Sequence, residues 1–321
     1  MVTEGRAGSP GVRHVTVSEE VSGQRIDNFL RRELRGVPKT LVYRLLRRGE
    51  VRVNGGRVRP DHRVEGGDDI RLPPVRTGKA TERRPSDRVL ARLADAVILE
   101  TDDVIVIDKP SGLAVHGGSG IAYGVVEALR VLRPDIEFLD LVHRLDRDTS
   151  GCLVLAKRRR ALREVHAAMR EGRVEKRYLT LLAGRLPRGD LPLEGRLARR
   201  CGKGGQTFMQ VASDGKRSRT VLRAVQRFNR WTLAEAELHT GRMHQIRVHC
   251  AHAGYPVAGD QGYGDPEANR RIRALGLRRQ FLHAAKLGFD LDGERVRVEC
   301  RLPVDLDAVV GNIREDERDG G

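Results

Sequence analysis

Two apolar runs separated by a short, highly charged stretch are the most constraining feature of this sequence. The runs are Leu141-Val142 and Cys152-Leu153-Val154-Leu155-Ala156. Short apolar runs bounded by turn-forming residues are typical of buried strands, so the spacing predicts two strands joined by a loop. The loop carries Asp146 between Arg144 and Arg147. A carboxylate held there is either a reactive group presented outward or an ion pair that closes a hairpin.

Length and charge restrict the class of protein. A chain of 321 residues can bury a sizeable core, and at this length two domains are more common than one. The formal charge is +16 and the pI about 10.5, which favours a polyanionic partner such as nucleic acid. Residues 1–86 hold 19 lysines and arginines against 11 aspartates and glutamates, which is half of the excess positive charge.

This basic segment is predicted to contain two short helices. Ile26, Phe29 and Leu30 recur at helical spacing, and Pro38 begins a second helix. The second helix and the strand after it place basic side chains where they suit a phosphate backbone; these are Lys39, Arg44, Arg47, Arg48 and Arg52. The alternative is a basic surface that is simply solvated.

A hairpin should follow the helices. The turn residues Asn54-Gly55-Gly56 predict pairing of Val51-Arg52-Val53 with Arg57-Val58-Arg59. A further strand is predicted at Ile70-Arg71-Leu72. We therefore expect a small module that can clamp RNA.

Composition divides the chain into three parts. We assign residues 13–75 to the N-terminal module, the Pro- and Gly-punctuated residues 76–87 to a linker, and residues 88–310 to a larger domain. Adjacent hairpins predominate over strand–helix–strand crossovers in the larger domain, so its predicted class is α+β with a mixed, mostly antiparallel sheet. Residues 187–205 are predicted to be an irregular surface insertion.

Cysteine and histidine patterns bear on metals and compartment. The four cysteines are far apart in sequence and form no Cys-x-x-Cys pair, which argues against a disulfide framework and a cysteine zinc site. His244, His249 and His252 lack an H-E-x-x-H pattern, so no metal is expected. No apolar run is long enough to span a membrane and no secretory signal is present, so we expect a cytoplasmic protein.

Several ordered motifs resemble the RluA family of RNA pseudouridine synthases. The central one is His143-Arg144-Leu145-Asp146 with Thr149-Ser150-Gly151. The others follow in family order: Asp108-Lys109-Pro110-Ser111-Gly112, Lys176-Arg177-Tyr178, Gly241 to His249, Gly259 to Gly264, and Phe281 to Ala285. The N-terminal module is similar to the α-L RNA-binding domain of a small-subunit ribosomal protein. Together the matches span about Gly23 to Pro303 and are most similar to the synthase C subgroup.

The resemblance implies roles for individual residues. It makes Asp146 the catalytic carboxylate, packs Tyr178 against the target uracil and pairs Arg247 with Asp146. It places four further residues in contact with the substrate: His143, Arg144, His244 and Gln245. The implied fold is a pseudouridine synthase catalytic domain.

The implied reaction isomerises specific uridines of large-subunit ribosomal RNA to pseudouridine. It breaks one bond to the base and forms another without redox change, so no cofactor and no metal are expected. RNA is the expected partner. A monomer is expected because the sequence shows neither a coiled-coil pattern nor an apolar stripe through which two copies could associate. The alternatives are a transfer-RNA pseudouridine synthase, a non-catalytic RNA-binding ribosome-assembly factor, and a metal-dependent hydrolase built on the three histidines.

Overall fold

The computed structural model describes residues 11–34, 37–75, 84–117, 123–202 and 207–319. The chain divides into two compact units, Met1–Glu82 and Arg83–Gly321. Most of the predicted linker, residues 76–83, lies outside the described residues.

The first unit packs two helices on a small sheet. Its elements are β1 (Arg13–Thr16), a short 3-10 helix (Glu19–Val21), α1 (Ile26–Glu33), α2 (Lys39–Arg48), β2 (Arg52–Val53) and β3 (Asp69–Leu72). Both predicted helices are present. Ile26, Phe29 and Leu30 are fully buried in the core, as their helical spacing requires. Helix α2 ends at Gly49, whose φ of 67° is a left-handed C-cap that favours glycine.

The predicted hairpin of this unit is wrong in its second strand. β2 pairs with β3 and not with residues 57–59, and the sheet order is β1-β3-β2. The side chain of Asn54 accepts a hydrogen bond from the amide of Asp69, which draws the β3 segment to the turn. β3 also offers Ile70 and Leu72 for burial, whereas residues 57–59 contain one apolar side chain between two arginines.

The second unit is built on one large sheet. Its strands are β4 (Val97–Glu100), β5 (Val104–Lys109), β6 (Asp140–Leu141), β7 (Ser150–Ala156), β8 (Glu175–Ala183), β9 (Asp190–Cys201), β10 (Thr207–Val211), β11 (Lys216–Arg227), β12 (Trp231–Leu238), β13 (Leu282–Leu291) and β14 (Glu294–Glu299). Its helices are α3 (Asp87–Ala94), α4 (Val125–Leu132), α5 (Arg159–Arg170), α6 (Gln245–His252), α7 (Pro266–Ala274) and α8 (Val304–Asp319).

The sheet is mixed and mostly antiparallel, which confirms the predicted class. Its order among the described residues is β10-β9-β11-β12-β8-β13-β7-β5-β4, with β14 beside β13 and β6 beside β7. The β13–β7 pair is parallel and the other pairs are antiparallel. Helices α3 and α4 pack on one face of β5 and β7, and α5 packs on the other. Burial on both faces explains the continuous apolar runs of these strands.

Residues 187–205 were predicted to be an irregular insertion, and that prediction is wrong. They contain β9, a twelve-residue strand that pairs with both β10 and β11. Along β9, Leu191, Leu193 and Leu197 are less exposed than the residues between them, as expected for a strand with one face open to solvent. Pro192 and Gly195, which are uncommon inside strands, obscure this alternation in the sequence.

Two further features concern backbone contact and cysteines. Gly151 has a φ of 109°, and a Cβ there would lie 2.2 Å from the carbonyl oxygen of Ala284, so the β7–β13 pairing requires glycine. Cys152 and Cys300 are distant in sequence but lie side by side as free thiols, with 2.9 Å between their sulfurs. In the described part of the chain, no helix is both long and apolar enough for a membrane crossing.

Candidate active site

Asp146 lies on the loop between β6 and β7, as the sequence predicted. The ammonium of Lys109 donates to the carbonyl oxygen of Arg147 on this loop at 3.0 Å, and to those of Pro110 and Leu113, which follow β5, at 2.8 Å each. Burial lowers the pKa of Lys109 to about 7, but only the protonated ammonium has three N–H groups for three acceptors. Lys109 therefore fixes the loop as a charged group surrounded by carbonyl oxygens.

The other side of the loop is held by the residues that precede β13. Arg279 donates to the carbonyl oxygen of Asp148 at 3.2 Å and to the hydroxyl of Ser150 at 3.2 Å. Gln280 donates to the hydroxyl of Thr149 at 2.7 Å. These contacts position the β6–β7 loop with groups about 130 positions away in the sequence.

Asp146 is paired with Arg247, and Arg247 is held in turn by Asp260. Nη1 of Arg247 donates to Oδ2 of Asp146 at 2.9 Å. Nε and Nη2 of Arg247 donate to the two oxygens of Asp260 at 2.7 and 2.8 Å. The Asp260 side chain is fully buried, whereas the Asp146 side chain remains 26% exposed. Arg247 thus has two carboxylate partners, one buried and one open to the cavity.

Charge pairing outweighs burial at both buried members of this group. Burial opposes ionisation of Arg247, yet its bonds and proximity to Asp260 and Asp146 raise its pKa overall. Burial likewise opposes ionisation of Asp260, yet Arg247 and the amides of Gly262 and Tyr263 lower its pKa. Both groups are charged at neutral pH, and the guanidinium is fixed in orientation.

Tyr263 and His244 complete the surroundings of the pair. The Tyr263 ring lies beneath the Arg247 guanidinium, 4.9 Å from centroid to Cζ. Its hydroxyl lies 2.9 Å from Nδ1 of His244 and accepts from the amide of Met209 at 2.9 Å. Nε2 of His244 is 3.9 Å from Oδ1 of Asp146. Sequence reasoning gave no role to Asp260 or Tyr263, although both lie in the Gly259 to Gly264 motif.

Asp146 faces a cavity of about 570 Å³ that also contains Tyr178. Tyr178 lies on β8 and is 8% exposed, and burial raises the pKa of its phenol, so the hydroxyl stays protonated. Arg144 is exposed and lines the same cavity. The volume suits one nucleotide-sized group bounded by an aromatic ring and a charged pair.

Two of the predicted substrate-binding residues are committed to the protein. Nε2 of His143 accepts from the amide of Val154 at 3.2 Å, and burial lowers its pKa to about 4, so the ring is neutral. Gln245 is 2% exposed. Its side chain bonds to Thr240, Arg242, Arg219 and Thr220. Gln245 therefore fixes the start of α6, and its hydrogen-bonding groups are used within the chain.

The histidines expected by the metal hydrolase alternative have other partners. Nε2 of His249 lies 2.8 Å from the Ser218 hydroxyl and Nδ1 lies 3.0 Å from the Thr220 hydroxyl. Burial lowers the pKa of His249 to about 4. Among the described residues, no three histidine, cysteine or carboxylate side chains are grouped as metal ligands.

The predicted RNA-binding residues lie on α2 and β2 of the first unit. Arg44, Arg47, Arg48 and Arg52 are all exposed, and Lys39 is the first residue of α2. Arg57 and Arg59, which the predicted set of RNA-binding residues does not include, line a second cavity of about 570 Å³ together with Tyr43 and Arg47.

Comparison with known proteins identifies both units. Residues 103–252 match the model of the family described as RNA pseudouridylate synthase, and residues 24–70 match the S4 domain. A protein named Ribosomal large subunit pseudouridine synthase C from Yersinia pestis is 46% identical over 92% of this chain and 94% of its own length. The protein of that name from Escherichia coli (strain K12) is 44% identical over 95% of this chain and 98% of its own.

Solved structures agree on the fold of the second unit. The structure titled Human RNA Pseudouridylate Synthase Domain Containing 1 has a TM-score of 0.58 at 26% identity, covering 70% of this chain and 89% of its own. Human RNA Pseudouridylate Synthase Domain Containing 4 has a TM-score of 0.60 at 23% identity, covering 71% and 96%. The chain therefore belongs to the RluA-type family of RNA pseudouridine synthases and carries an S4 domain at its N-terminal end.

Proposed function

We propose that the protein isomerises uridines of large-subunit ribosomal RNA to pseudouridine, with Asp146 as its catalytic carboxylate. The observation that carries this assignment is the 2.9 Å pairing of Asp146 with Arg247 at the wall of a nucleotide-sized cavity. The printed names of relatives that are 44–46% identical over nearly the whole chain support ribosomal RNA as the substrate.

The target nucleotide must leave its stack to reach Asp146. Extruding a base costs roughly a few kcal/mol, which contacts with the flipped nucleotide offset. Tyr178 supplies an aromatic surface for the uracil, and the exposed guanidinium of Arg144 suits the adjacent phosphate. Gln245 acts by positioning α6, because its polar atoms are already bonded to the chain. His143 accepts from β7 through Nε2 and also lines the cavity.

Asp146 then acts on the ribose. Its carboxylate either attacks C1′ or removes a proton from C2′, as carboxylates do in glycoside chemistry that passes through an oxocarbenium-like centre. Arg247 holds one oxygen of the carboxylate and leaves the other facing the cavity. The base rotates, and a C1′–C5 bond replaces the C1′–N1 bond as Asp146 leaves C1′ or the proton is returned to C2′. C5 gives up its proton and N1 gains one, so uridine and pseudouridine have the same atoms. The proposal includes neither a metal nor a cofactor.

The S4 domain would bind the RNA backbone outside the cavity. We assign this role to Arg44, Arg47, Arg48 and Arg52, with Lys39 from the same helix, because the arginines are exposed on adjacent elements. We further propose that residues 13–75 form the RNA-binding module, residues 76–87 the linker and residues 88–310 the catalytic domain. A monomer in the cytoplasm completes the proposal, since ribosomal RNA is modified there.

The test compares Asp146→Asn with Asp148→Asn, a matched change of an exposed carboxylate in the same loop. Each protein is incubated with unmodified large-subunit ribosomal RNA and with transfer RNA, and pseudouridine is mapped chemically. We expect ribosomal sites for the wild type and for Asp148→Asn, and none for Asp146→Asn, whose RNA affinity stays within about threefold. Activity of Asp146→Asn near the wild-type level, or modification of transfer RNA alone, contradicts the proposal.

A further inference from the structure

His244 has a backbone conformation that few side chains adopt. It precedes α6 with φ 52° and ψ 22°, in the left-handed region. A non-glycine residue there is strained and persists where the surrounding structure enforces it, often at functional sites. Here the result is an imidazole that lines the cavity, with Nε2 3.9 Å from Oδ1 of Asp146.

Tyr263 determines which nitrogen of His244 carries the proton. The amide of Met209 can only donate, so the Tyr263 oxygen accepts at 2.9 Å. The single phenolic proton is then available for Nδ1 of His244, 2.9 Å away. All three groups are satisfied when Nδ1 accepts and Nε2 carries the ring proton. The edge-on packing of the two rings, 5.6 Å between centroids, keeps this hydrogen bond in place.

We propose that Tyr263 holds His244 as the neutral Nε2–H tautomer, and that this N–H donates to a carbonyl oxygen of the uracil during catalysis. The inference rests on the proposed function and adds a role to the same site. When the C1′–N1 bond breaks, its electron pair moves onto the uracil ring and spreads to the carbonyl oxygens. A fixed donor in a partly dry cavity stabilises that charge. His244 keeps its proton throughout, so no co-reactant is needed.

The charges around the ring agree with a neutral imidazole. Burial lowers the pKa of His244, and the nearby Arg247 and Arg144 act in the same direction. Asp146 and Asp260 oppose this effect without reversing it. The ring is therefore a hydrogen-bond donor at neutral pH and does not act as a cation.

The first test is nitrogen NMR of the ¹⁵N-histidine-labelled full-length protein, with His244 assigned through His244→Gln. We expect an unprotonated Nδ1 and a protonated Nε2 in the wild type, and a mixture of tautomers in Tyr263→Phe. Tyr255→Phe makes the same chemical change at a half-buried tyrosine, which packs against the apolar cluster that includes residues of α3, α4, β5 and β7, and it should leave the His244 signals unchanged. A wild-type ring protonated at Nδ1, or at both nitrogens, overturns the proposal.

The second test uses single-turnover kinetics on ribosomal RNA to distinguish the effect of the His244 hydrogen-bond donor from the effect of the volume of its side chain. Gln keeps an N–H donor near the position of Nε2, and Leu keeps bulk without a donor. We expect His244→Gln to retain kcat within about tenfold, His244→Leu to lose about a hundredfold, and Tyr263→Phe about tenfold, with KM within about threefold.

Equal rates for His244→Gln and His244→Leu overturn the role of the donor. A wild-type protein that forms no pseudouridine overturns the proposed function and this inference with it. The NMR result distinguishes the two failures, because it reports the tautomer without any turnover.

Discussion

Asp260→Asn provides the sharpest test of how this site is organised. In the wild type, Oδ1 of Asp260 accepts from Nη2 of Arg247 and from the amides of Gly262 and Tyr263, and Oδ2 accepts from Nε of Arg247. Asn can keep the contacts to one oxygen. Its NH₂ group then faces Nε–H of Arg247, and two donors meet in a buried position.

The loss of stability can be estimated from the one hydrogen bond that Asn cannot accept, the bond from Nε of Arg247. A hydrogen bond between charged groups contributes about 1.5–3 kcal/mol, and leaving one partner buried without a bond adds a similar amount. We expect the free energy of unfolding to fall by about 3 kcal/mol. If the misplaced guanidinium stabilises the transition state by about 3 kcal/mol less, kcat falls about a hundredfold, because about 1.4 kcal/mol corresponds to a factor of ten in rate.

The assay measures both quantities on the same variant. Urea unfolding gives the stability, and single-turnover conversion of ribosomal RNA gives kcat, with KM expected to stay within about threefold. Asp190→Asn is the matched control, since Asp190 accepts one bond from Arg223 at an exposed surface, where such pairs contribute about 0–1 kcal/mol. A folded Asp260→Asn protein with kcat within twofold of the wild type refutes the idea that Asp260 positions Arg247.

Three further predictions concern stability and binding. Burial holds the pKa of His249 at about 4 while the unfolded ring protonates near 6.5, so the unfolded chain binds more protons between these values. His249 should therefore lower the free energy of unfolding by about 3 kcal/mol as the pH drops from 6.5 to 4, and His143, whose pKa burial also lowers to about 4, should add a similar loss. In pH-dependent urea titrations, His249→Gln should remove the His249 contribution and leave that of His143. Lys109→Met should lower the free energy of unfolding by about 3–5 kcal/mol, because it leaves three carbonyl oxygens without their donor. A decrease below about 1 kcal/mol, measured by thermal unfolding, would contradict the role of Lys109. Replacing Arg44, Arg47, Arg48 and Arg52 with Ala should reduce the slope of log affinity for RNA against log salt concentration by up to about three. The slope is measured by filter binding of ribosomal RNA, and an unchanged slope would show that these side chains do not contact phosphates.

Local patterns predicted local structure well. The spacing of Ile26, Phe29 and Leu30 located α1, and the apolar runs around Asp146 located β6 and β7. The same reliance on neighbours produced the errors. A strong turn signal suggested a partner for β2 a few residues away, whereas the real partner lies beyond Asp68. On β9, Pro192 and Gly195 obscured the alternation that would have revealed a strand.

The site itself depends on contacts that no local pattern contains. Arg247 meets Asp146 across 101 positions of sequence, and only the family resemblance brought them together beforehand. Tyr263 and Met209 meet across 54 positions, and nothing in either segment indicates the contact. The resemblance also placed Gln245 in contact with the substrate, and its buried hydrogen bonds become visible only once β11 is placed beside α6.

The parallel pairing of β7 with β13 has a consequence for the nascent chain. The β6–β7 loop gains Arg279, Gln280 and its neighbouring strand only after residue 283 has been synthesised, more than 130 residues after Asp146. A ribosome-bound product that stops before β13 would hold every side chain of the Asp146–Arg247–Asp260 group without the contacts that set the loop. Competence to modify RNA should therefore arise abruptly, once β13 has been synthesised.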